Sequence, residues 1–296
     1  MISRQMAILL KREFWEHRTL MFYLPTTISG LFLVSVVGLL LFTNTTTINT
    51  DLSVSGGVFE FGIDKLAGLE SAERVLLLDR VYQLSSYPFL MMSLVVAVNY
   101  LLGSMFNERK DRSILFWKSM PVSDGLTVLS KLLTGGLVVP MIYLGFCMVA
   151  QLLSLLFITL VMISGEYPVW DILWQPIKPL SHGFRLLLYQ LMQSLWLAPW
   201  FGYALLLSAW AKSSPVVWFF GIPVAVVILE RVYTPYDELI IFDWLWLHTL
   251  PLFSVTGEGL SLEWMWVEVS GLLQGILVGI IFVASAVWFR SKHNEI

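Results

Sequence analysis

The sequence contains few of the charged residues that cover the surface of a soluble catalytic domain. Only 13% of its 296 residues are Asp, Glu, Lys or Arg, against roughly 25% in soluble domains. Its one cysteine, Cys147, excludes a disulfide within the chain, and its net charge of −3 argues against a nucleic-acid partner. By contrast, 57% of the residues are hydrophobic, 13 are Trp and the mean hydropathy is +0.76. This balance is typical of a membrane protein.

The common sequence signatures of enzymes are missing as well. No Gly-Lys dipeptide occurs, which excludes a Walker A phosphate loop, and neither HExxH nor GxSxG is present. The four histidines are scattered along the chain, so we expect no metal site. The sequence therefore favours a chain without catalytic activity. An intramembrane enzyme acting on lipid or peptide is a weaker alternative, because it would need paired acids or histidines inside the spans.

Six long stretches without Asp, Glu, Lys or Arg match the roughly 20 apolar residues that cross a bilayer as a helix. We therefore predict an all-α integral membrane protein, with residues 1–296 forming one transmembrane domain. The predicted spans are residues 20–43, 86–106, 128–163, 185–210, 214–233 and 268–289. An outer segment over residues 44–85 should contain a short amphipathic helix. The acidic, Trp-rich segment 234–267 should also lie outside, because its apolar part is too short to cross.

The distribution of positive charge predicts the orientation. If both termini lie on one side, that side holds 12 of the 18 Lys and Arg residues. Fifteen of the 21 acidic residues then lie on the other side. Because basic residues concentrate in cytoplasmic loops, we expect both termini in the cytoplasm. The first apolar run is longer than a signal-peptide core, so it reads as a retained anchor.

Residues 1–18 precede the first predicted span and have two different helical faces. Arg4, Lys11 and Arg18 recur every seven residues and form a basic stripe, to which Arg12 adds a further charge. Apolar side chains occupy the opposite face. This pattern predicts an amphipathic helix that lies in the cytoplasmic interface of the membrane. The alternative is an ordinary basic flank of the first span.

Amides that could be functional lie within the second, third and fourth predicted spans: Asn99, Gln151, Gln190 and Gln193. Polar groups inside a membrane often line a substrate path, but amides also form hydrogen bonds between helices, so both interpretations stay open. The spans hold no chain of acids and bases for proton transfer, so an energy source must lie elsewhere.

The sixth predicted span has glycines at a regular interval. Gly271, Gly275 and Gly279 recur every four residues and so lie on one helical face. Such a face allows a second helix to approach closely, although the spacing does not identify that helix.

The stretch 107–124, NERKDRSILFWKSMPVSD, resembles a motif of the permease subunits of bacterial ABC transporters of the second exporter type. In that family a Glu-Arg pair, a short turn, a hydroxyl residue, a helix and Pro-Val-Ser follow the second span. Here the pair is Glu108-Arg109, and the chain has Arg112-Ser113 where the family usually has Gly-Thr. The number of spans and the cytoplasmic termini are also similar to that family.

The resemblance implies a permease that moves a substrate across the bacterial cytoplasmic (inner) membrane, powered by a separate ATPase subunit. Two permeases, either identical or paralogous, and two ATPases would form the complex, with ATP and Mg²⁺ bound by the ATPases and no cofactor in this chain. The loop 107–124 would be a coupling helix that seats in the ATPase. The implied coupling residues are Glu108, Arg109, Lys110, Asp111, Arg112, Ser113, Trp117, Lys118 and Pro121.

In such exporters the substrate path runs near the second and fifth spans. The resemblance therefore implies that Asn99 and the region of Gly221 and Pro223 lie near it. No motif identifies the substrate. A secondary transporter that needs no ATP, or a membrane scaffold, is the alternative interpretation.

Overall fold

The computed structural model describes residues 2–43, 65–119, 122–233, 239–249 and 269–292. Within these ranges the chain is all helical and forms no strand. The main helices are α1 (Ile2–Glu16), α2 (Leu24–Thr43), α3 (Ser71–Leu84), α4 (Tyr87–Ser104), α5 (Phe106–Lys110), α6 (Ile114–Lys118), α7 (Asp124–Leu133), α8 (Val139–Ser164), α9 (Pro179–Trp196), α10 (Ala198–Trp210), α11 (Pro215–Tyr233), α12 (Ile240–Thr249) and α13 (Val269–Lys292). Wider π-helical turns occur at Thr19–Tyr23, Thr134–Val138 and Trp170–Trp174.

Five helical stretches of the described residues are long and apolar enough to cross a membrane, and they suggest a multi-pass membrane protein. They are Thr19–Gly38, Ser71–Lys110, Asp124–Ser164, Pro215–Tyr233 and Val269–Lys292. These stretches contain or overlap the first, second, third, fifth and sixth predicted spans. The prediction of six spans is therefore not confirmed, because the fourth is not among them.

The fourth predicted span, residues 185–210, is divided between α9 and α10. The helix is interrupted at Leu197, whose backbone angles are φ −84° and ψ 6°. Pro199 follows at the start of α10 and lacks the N–H that a continuous helix would use. With 13 residues, α10 is too short to cross a bilayer by itself.

Helices also form in the segments predicted to lie outside the spans. The N-terminal segment folds as α1, and part of the outer segment 44–85 folds as α3. The amphipathic character predicted for these helices is not confirmed. In the acidic segment 234–267, α12 has ten residues, and the rest of that segment lies outside the described residues. The position of α1 relative to the membrane surface stays a prediction.

The chain divides into two compact units. Unit 1 comprises Met1–Met21, Met91–Ile142 and Leu188–Ile296, and unit 2 comprises Phe22–Leu90 and Tyr143–Leu187.

In unit 1, the glycine face of α13 packs against α10. A Cβ at Gly202 would lie 2.7 Å from the carbonyl oxygen of Gly279, and one at Gly279 would lie 2.8 Å from that of Ala198. Gly275 lies beneath the imidazole of His248 in α12, where a Cβ would be 2.6 Å from Nε2. The small residues thus let two backbones and a buried ring approach to distances that any side chain would prevent.

Unit 2 has an apolar core between α3, α8 and the connection that follows α8. Leu78 of α3 packs with Leu155 and Met162 of α8 and with Ile172 and Leu173 of the connection. A second cluster, formed by Phe89, Cys147 and Ala150, packs against Phe32 of α2. Cys147 is fully buried and serves as a small hydrophobic side chain, as the sequence indicated.

Gly202→Ala should destabilise unit 1 because the added methyl meets backbone atoms, which cannot rotate away. Forcing α10 and α13 apart should lower the free energy of unfolding by about 1–3 kcal/mol. Thermal unfolding in detergent micelles, followed by circular dichroism, measures this loss. The matched control is Gly221→Ala in α11, where nothing lies within 4 Å of the new methyl. An equal loss of stability in both variants would contradict close packing at Gly202.

Candidate functional site

A cluster of buried ion pairs in unit 1 is centred on Glu108. One carboxylate oxygen, Oε1, lies 2.9 Å from Lys131 Nζ and 3.3 Å from a guanidinium nitrogen of Arg12. The other, Oε2, accepts a hydrogen bond of 2.8 Å from Arg290. The side chains of Glu108, Lys131 and Arg290 are only 6%, 2% and 2% exposed. A carboxylate removed from water in this way keeps its charge because three cations surround it.

A second carboxylate, Glu13 of α1, extends the cluster. Its Oε1 lies 3.1 Å from Lys131 Nζ and 2.8 Å from Arg12, and its Oε2 accepts a hydrogen bond of 2.7 Å from the hydroxyl of Tyr100. At the other edge, Arg290 Nε donates to Asp124 at 3.1 Å. We call these residues the ion-pair cluster. Its charged members are Arg12, Glu13, Glu108, Asp124, Lys131 and Arg290.

Four parts of the chain supply these side chains, and helix ends favour two of the charges. Asp124 lies in the first turn of α7, where Ser123 caps the helix by accepting a hydrogen bond from the N–H of Leu126. Arg290 lies in the last turn of α13. A negative charge at a helix N-terminus and a positive charge at a C-terminus are both stabilised by the helix dipole. The local sequence thus suits the ion pair before the helices meet.

Arg109 does not join the cluster but fastens the same loop to α10. Its guanidinium donates to the carbonyl oxygens of Ser208 and Ala211, both at 2.8 Å. The hydroxyl oxygen of Ser208 in turn accepts the N–H groups of Met105 and Phe106, at 2.9 and 3.0 Å. These contacts satisfy carbonyls at the end of α10 and amides at the junction of α4 and α5, which the helices leave unpaired.

The short helix α6 carries an exposed apolar tip beside the cluster. Ile114 is buried, whereas Leu115 and Phe116 are 52% and 59% exposed. Trp117 lies under Arg12, whose guanidinium carbon is 3.8 Å from the ring centroid, a cation–π contact. Lys118 donates to the carbonyl oxygen of Ser291 at 3.4 Å. One side of α6 is thus packed against the rest of unit 1, and the side chains of the other side are exposed.

The charge balance of the cluster affects the ionisation of Glu13. Burial raises the pKa of its carboxyl, but Lys131, Arg12 and the hydrogen bond from Tyr100 together outweigh burial and hold the pKa below its ordinary value. Glu13 is therefore ionised at neutral pH despite being 1% exposed.

The predicted coupling residues fall into two groups in the structure. Glu108 and Arg109 are buried and hold the loop to the rest of unit 1. Lys110, Asp111 and Arg112 are exposed. Of the remaining predicted residues, Ser113, Trp117 and Lys118 are partly buried, and Pro121 lies outside the described residues. The buried pair acts within the chain, whereas the exposed residues and the tip of α6 are accessible from outside it.

The predicted basic stripe of the N-terminal helix is partly found. Arg4, Lys11 and Arg18 are exposed, as the pattern indicates, but Arg12 turns into the cluster.

Sequence reasoning missed four members of the cluster as site residues: Glu13, Asp124, Lys131 and Arg290. A signal was present for Lys131, the only charged residue between Asp124 and Glu166, because an isolated charge in an apolar run requires a buried partner.

The four amides predicted as candidates for a substrate path have different surroundings. Gln151, in unit 2, lies within hydrogen-bond distance of the Tyr82 carbonyl and of the Ser85 and Ser86 hydroxyls, at 2.8–3.0 Å. Gln190 donates weakly to Gln193 at 3.4 Å, and both are buried. These contacts match the second interpretation, hydrogen bonding between and within helices. Asn99 alone of the four is exposed.

Asn99 lines a cavity of about 490 Å³ within unit 1. One wall is formed by α4 and another by α11, where Phe219, Phe220 and Pro223 face the space. The walls are almost entirely apolar, so the amide of Asn99 is one of the few polar groups that a ligand would meet. The structure therefore brings Asn99 and Pro223, which are distant in sequence, to one cavity.

Comparison of the chain with known protein families, curated proteins and solved structures found no match. Among the described residues, no group of three or more His, Cys, Asp or Glu side chains could hold a metal ion. The candidate site is therefore defined by its geometry: a buried ion-pair cluster that joins α1, α5, α7 and α13, with α6 exposed beside it.

Glu108→Ala should destabilise the protein strongly because Lys131 and Arg290 would remain buried without their carboxylate. Removing one partner of a buried pair reduces the free energy of unfolding by about 3–5 kcal/mol. Unfolding in detergent, monitored by circular dichroism, measures the loss. Asp111→Ala in the same loop is the control, since Asp111 is exposed and its loss should change stability by less than about 0.5 kcal/mol. Similar stabilities for the two variants would disprove the central role of Glu108.

Glu13→Gln should make the protein less stable at pH 7, with a difference that shrinks in acid. The folded pKa of Glu13 lies below its ordinary value of 4.5. Its ionised form therefore stabilises the fold above pH 4.5, and this contribution disappears as the pH falls through the folded pKa. Thermal scans of both proteins between pH 7 and pH 3 measure the convergence. Glu16→Gln is the control on the same helix, because the Glu16 side chain is 50% exposed. A constant gap between wild type and Glu13→Gln would refute the assignment.

Proposed function

We propose that this chain is the membrane-spanning permease subunit of an ATP-driven ABC exporter. It moves a substrate across the bacterial cytoplasmic membrane, and a separate ATPase subunit binds and hydrolyses ATP with Mg²⁺. The working unit contains two permease chains, identical or paralogous, and two ATPases. In this arrangement α9 and α10 together form the fourth of six spans, and both termini lie in the cytoplasm.

The observation that carries the proposal is the position of α6. Its tip exposes Leu115 and Phe116, while its base is tied to Arg12 through Trp117. The loop before it is tied to α7 and α13 through Glu108, and to α10 through Arg109. A force applied to α6 by a partner is thereby transmitted to several helices at once. An energy-coupling helix requires this combination of an open tip and a fixed base.

The charges at this end of unit 1 support the proposed orientation. The cluster brings α1 and the last turn of α13 to the same end of the unit as α5 and α6. Exposed basic residues lie there too, among them Lys110 and Arg112. Because cytoplasmic segments are enriched in Lys and Arg, this end is the one that faces the cytoplasm and the ATPase.

The cavity at Asn99 supports a transport role for unit 1. Its 490 Å³ falls within the range of small-molecule sites, about 300–1,000 Å³. An apolar wall with one accessible amide suits an amphiphilic substrate. We propose that this cavity is part of the substrate path, alongside the second and fifth spans.

The first test is whether the chain associates with an ATPase. The full-length chain, carrying an affinity tag, is purified in mild detergent from its native membranes, and the proteins that accompany it are identified by mass spectrometry. The proposal predicts an ABC ATPase in roughly equal amount, and ATP hydrolysis by the complex but not by the chain alone. Purification without any ATPase, repeated in a second detergent, would contradict it.

Phe116→Asp should abolish co-purification of the ATPase and leave the permease as stable as the wild type. The ring is exposed, so a carboxylate at this position disrupts an apolar contact with a partner without disturbing the core. The control is Ile240→Asp at the start of α12, where an apolar side chain is 76% exposed and lies outside the predicted spans. Retention of the ATPase by Phe116→Asp, or its loss from both variants, would count against α6 as the contact.

A further inference from the structure

Unit 2 contains a second cavity, larger than the one at Asn99 and lined by different chemistry. Its volume is about 980 Å³, near the upper end of the range for small-molecule sites. Trp170, Trp174, Leu152 and Leu187 supply apolar walls. The Trp174 ring is held in place, because its Nε1 donates to the hydroxyl of Thr159 at 3.0 Å. The cavity therefore has a fixed aromatic wall.

A buried histidine on this cavity has no hydrogen-bond partner. His182 is 2% exposed, and neither ring nitrogen makes a hydrogen bond within the described residues. Its ring contacts that of Tyr82 edge-on, with the centroids 4.7 Å apart. Buried polar groups are nearly always paired, so an unpaired donor and acceptor beside a cavity indicate that a ligand supplies the missing partner.

In the neutral form of His182, one ring nitrogen is a donor and the other an acceptor. An ester or phosphate oxygen of a ligand would satisfy the donor.

The charge of the lining limits the kind of head group that fits. Lys178 is exposed at the edge of the cavity, and no carboxylate is among the described lining residues. The nearby Asp79 is already engaged by Arg185 at 2.6 Å. The cavity thus combines a large apolar volume with one accessible cation, which suits an acyl chain attached to an anion.

We propose that the unit 2 cavity binds a membrane lipid with an anionic head group. Its acyl portion lies along the tryptophan and leucine walls, and its head-group oxygens accept hydrogen bonds from His182 and Lys178. The surrounding bilayer supplies this lipid. The inference does not depend on the transport proposal, because the site lies wholly within unit 2 and needs no ATPase.

Native mass spectrometry of the full-length chain tests the proposal. The protein is delipidated in detergent and titrated with dioleoyl phosphatidylglycerol or dioleoyl phosphatidylcholine. Wild type should bind phosphatidylglycerol more tightly. His182→Phe keeps the ring shape without the nitrogens and should weaken this binding about tenfold, the effect of one lost hydrogen bond to a buried group. His182→Gln, which keeps a donor and an acceptor, should retain most of the affinity.

Lys178→Gln should remove the preference for phosphatidylglycerol over phosphatidylcholine. Lys212→Gln is the matched control, since Lys212 is an exposed lysine in unit 1, and it should bind as the wild type does. The melting temperature of His182→Phe should equal or exceed that of the wild type, which separates lost binding from lost folding.

Three results would overturn the proposal. They are a wild-type chain that binds neither lipid, a His182→Phe variant that binds phosphatidylglycerol unchanged, and equal binding of the two lipids by the wild type. Displacement of the lipid by glycerol 3-phosphate at similar concentration would also overturn it, because the head group alone would then account for binding.

Discussion

Burial of Lys131 and Arg290 is the constraint on which unit 1 depends. An ammonium and a guanidinium removed from water are tolerated only if carboxylates lie within ion-pair distance and their remaining hydrogen-bonding groups are satisfied. Glu108 meets both cations, Glu13 meets the first and Asp124 meets the second. Three acids thus balance three bases once Arg12 is included. Rotation of any contributing helix by one residue would leave a buried charge unpaired.

This constraint explains why α6 can be both exposed and firmly held. Five-residue helices are marginal in isolation, since nucleation is unfavourable and few hydrogen bonds follow it. Here the helix is stabilised from one side by burial of Ile114 and by Arg12 stacked on Trp117. Because the groups of a polar network strengthen one another, the cluster tends to hold or fail as a unit. Displacement of α6 therefore acts on the network as a whole, which is the property that a coupling element needs.

The two cavities differ in the hydrogen-bonding groups that they present to a ligand. The cavity of unit 1 is lined by an exposed amide, that of Asn99. The cavity of unit 2 is lined by His182, whose ring nitrogens make no hydrogen bond within the described residues. An exposed polar group favours binding that is easily reversed. A buried unpaired one favours a resident ligand, because the protein without it leaves a donor and an acceptor unsatisfied.

The sequence by itself determined that the chain is helical, apolar and suited to crossing a membrane several times, with a charged loop at 107–124. Hydropathy and charge-free length are local properties, so they can be read along the chain without knowing what a segment packs against. The same patterns indicated the N-terminal helix and the close-packing face at Gly275 and Gly279. They did not reveal the interruption at Leu197, which divides residues 185–210 between two helices.

Only the tertiary structure decided how the charges are used. Glu108 and Arg109 look like solvent-exposed residues of a basic loop, but they are buried. Arg12 appeared to extend a surface stripe, but it pairs inside. Two of the three partners of Glu108, Arg12 and Arg290, are 96 and 182 residues away along the chain. The cavity at His182 is likewise formed by three separate segments. Ion pairing requires two charged groups within about 4 Å of each other. The sequence pattern of one helix does not specify how a second helix is rotated about its axis or shifted along it. Local composition therefore determines the membrane character of the protein. Its candidate coupling and lipid sites depend instead on the packing of helices that are distant in sequence.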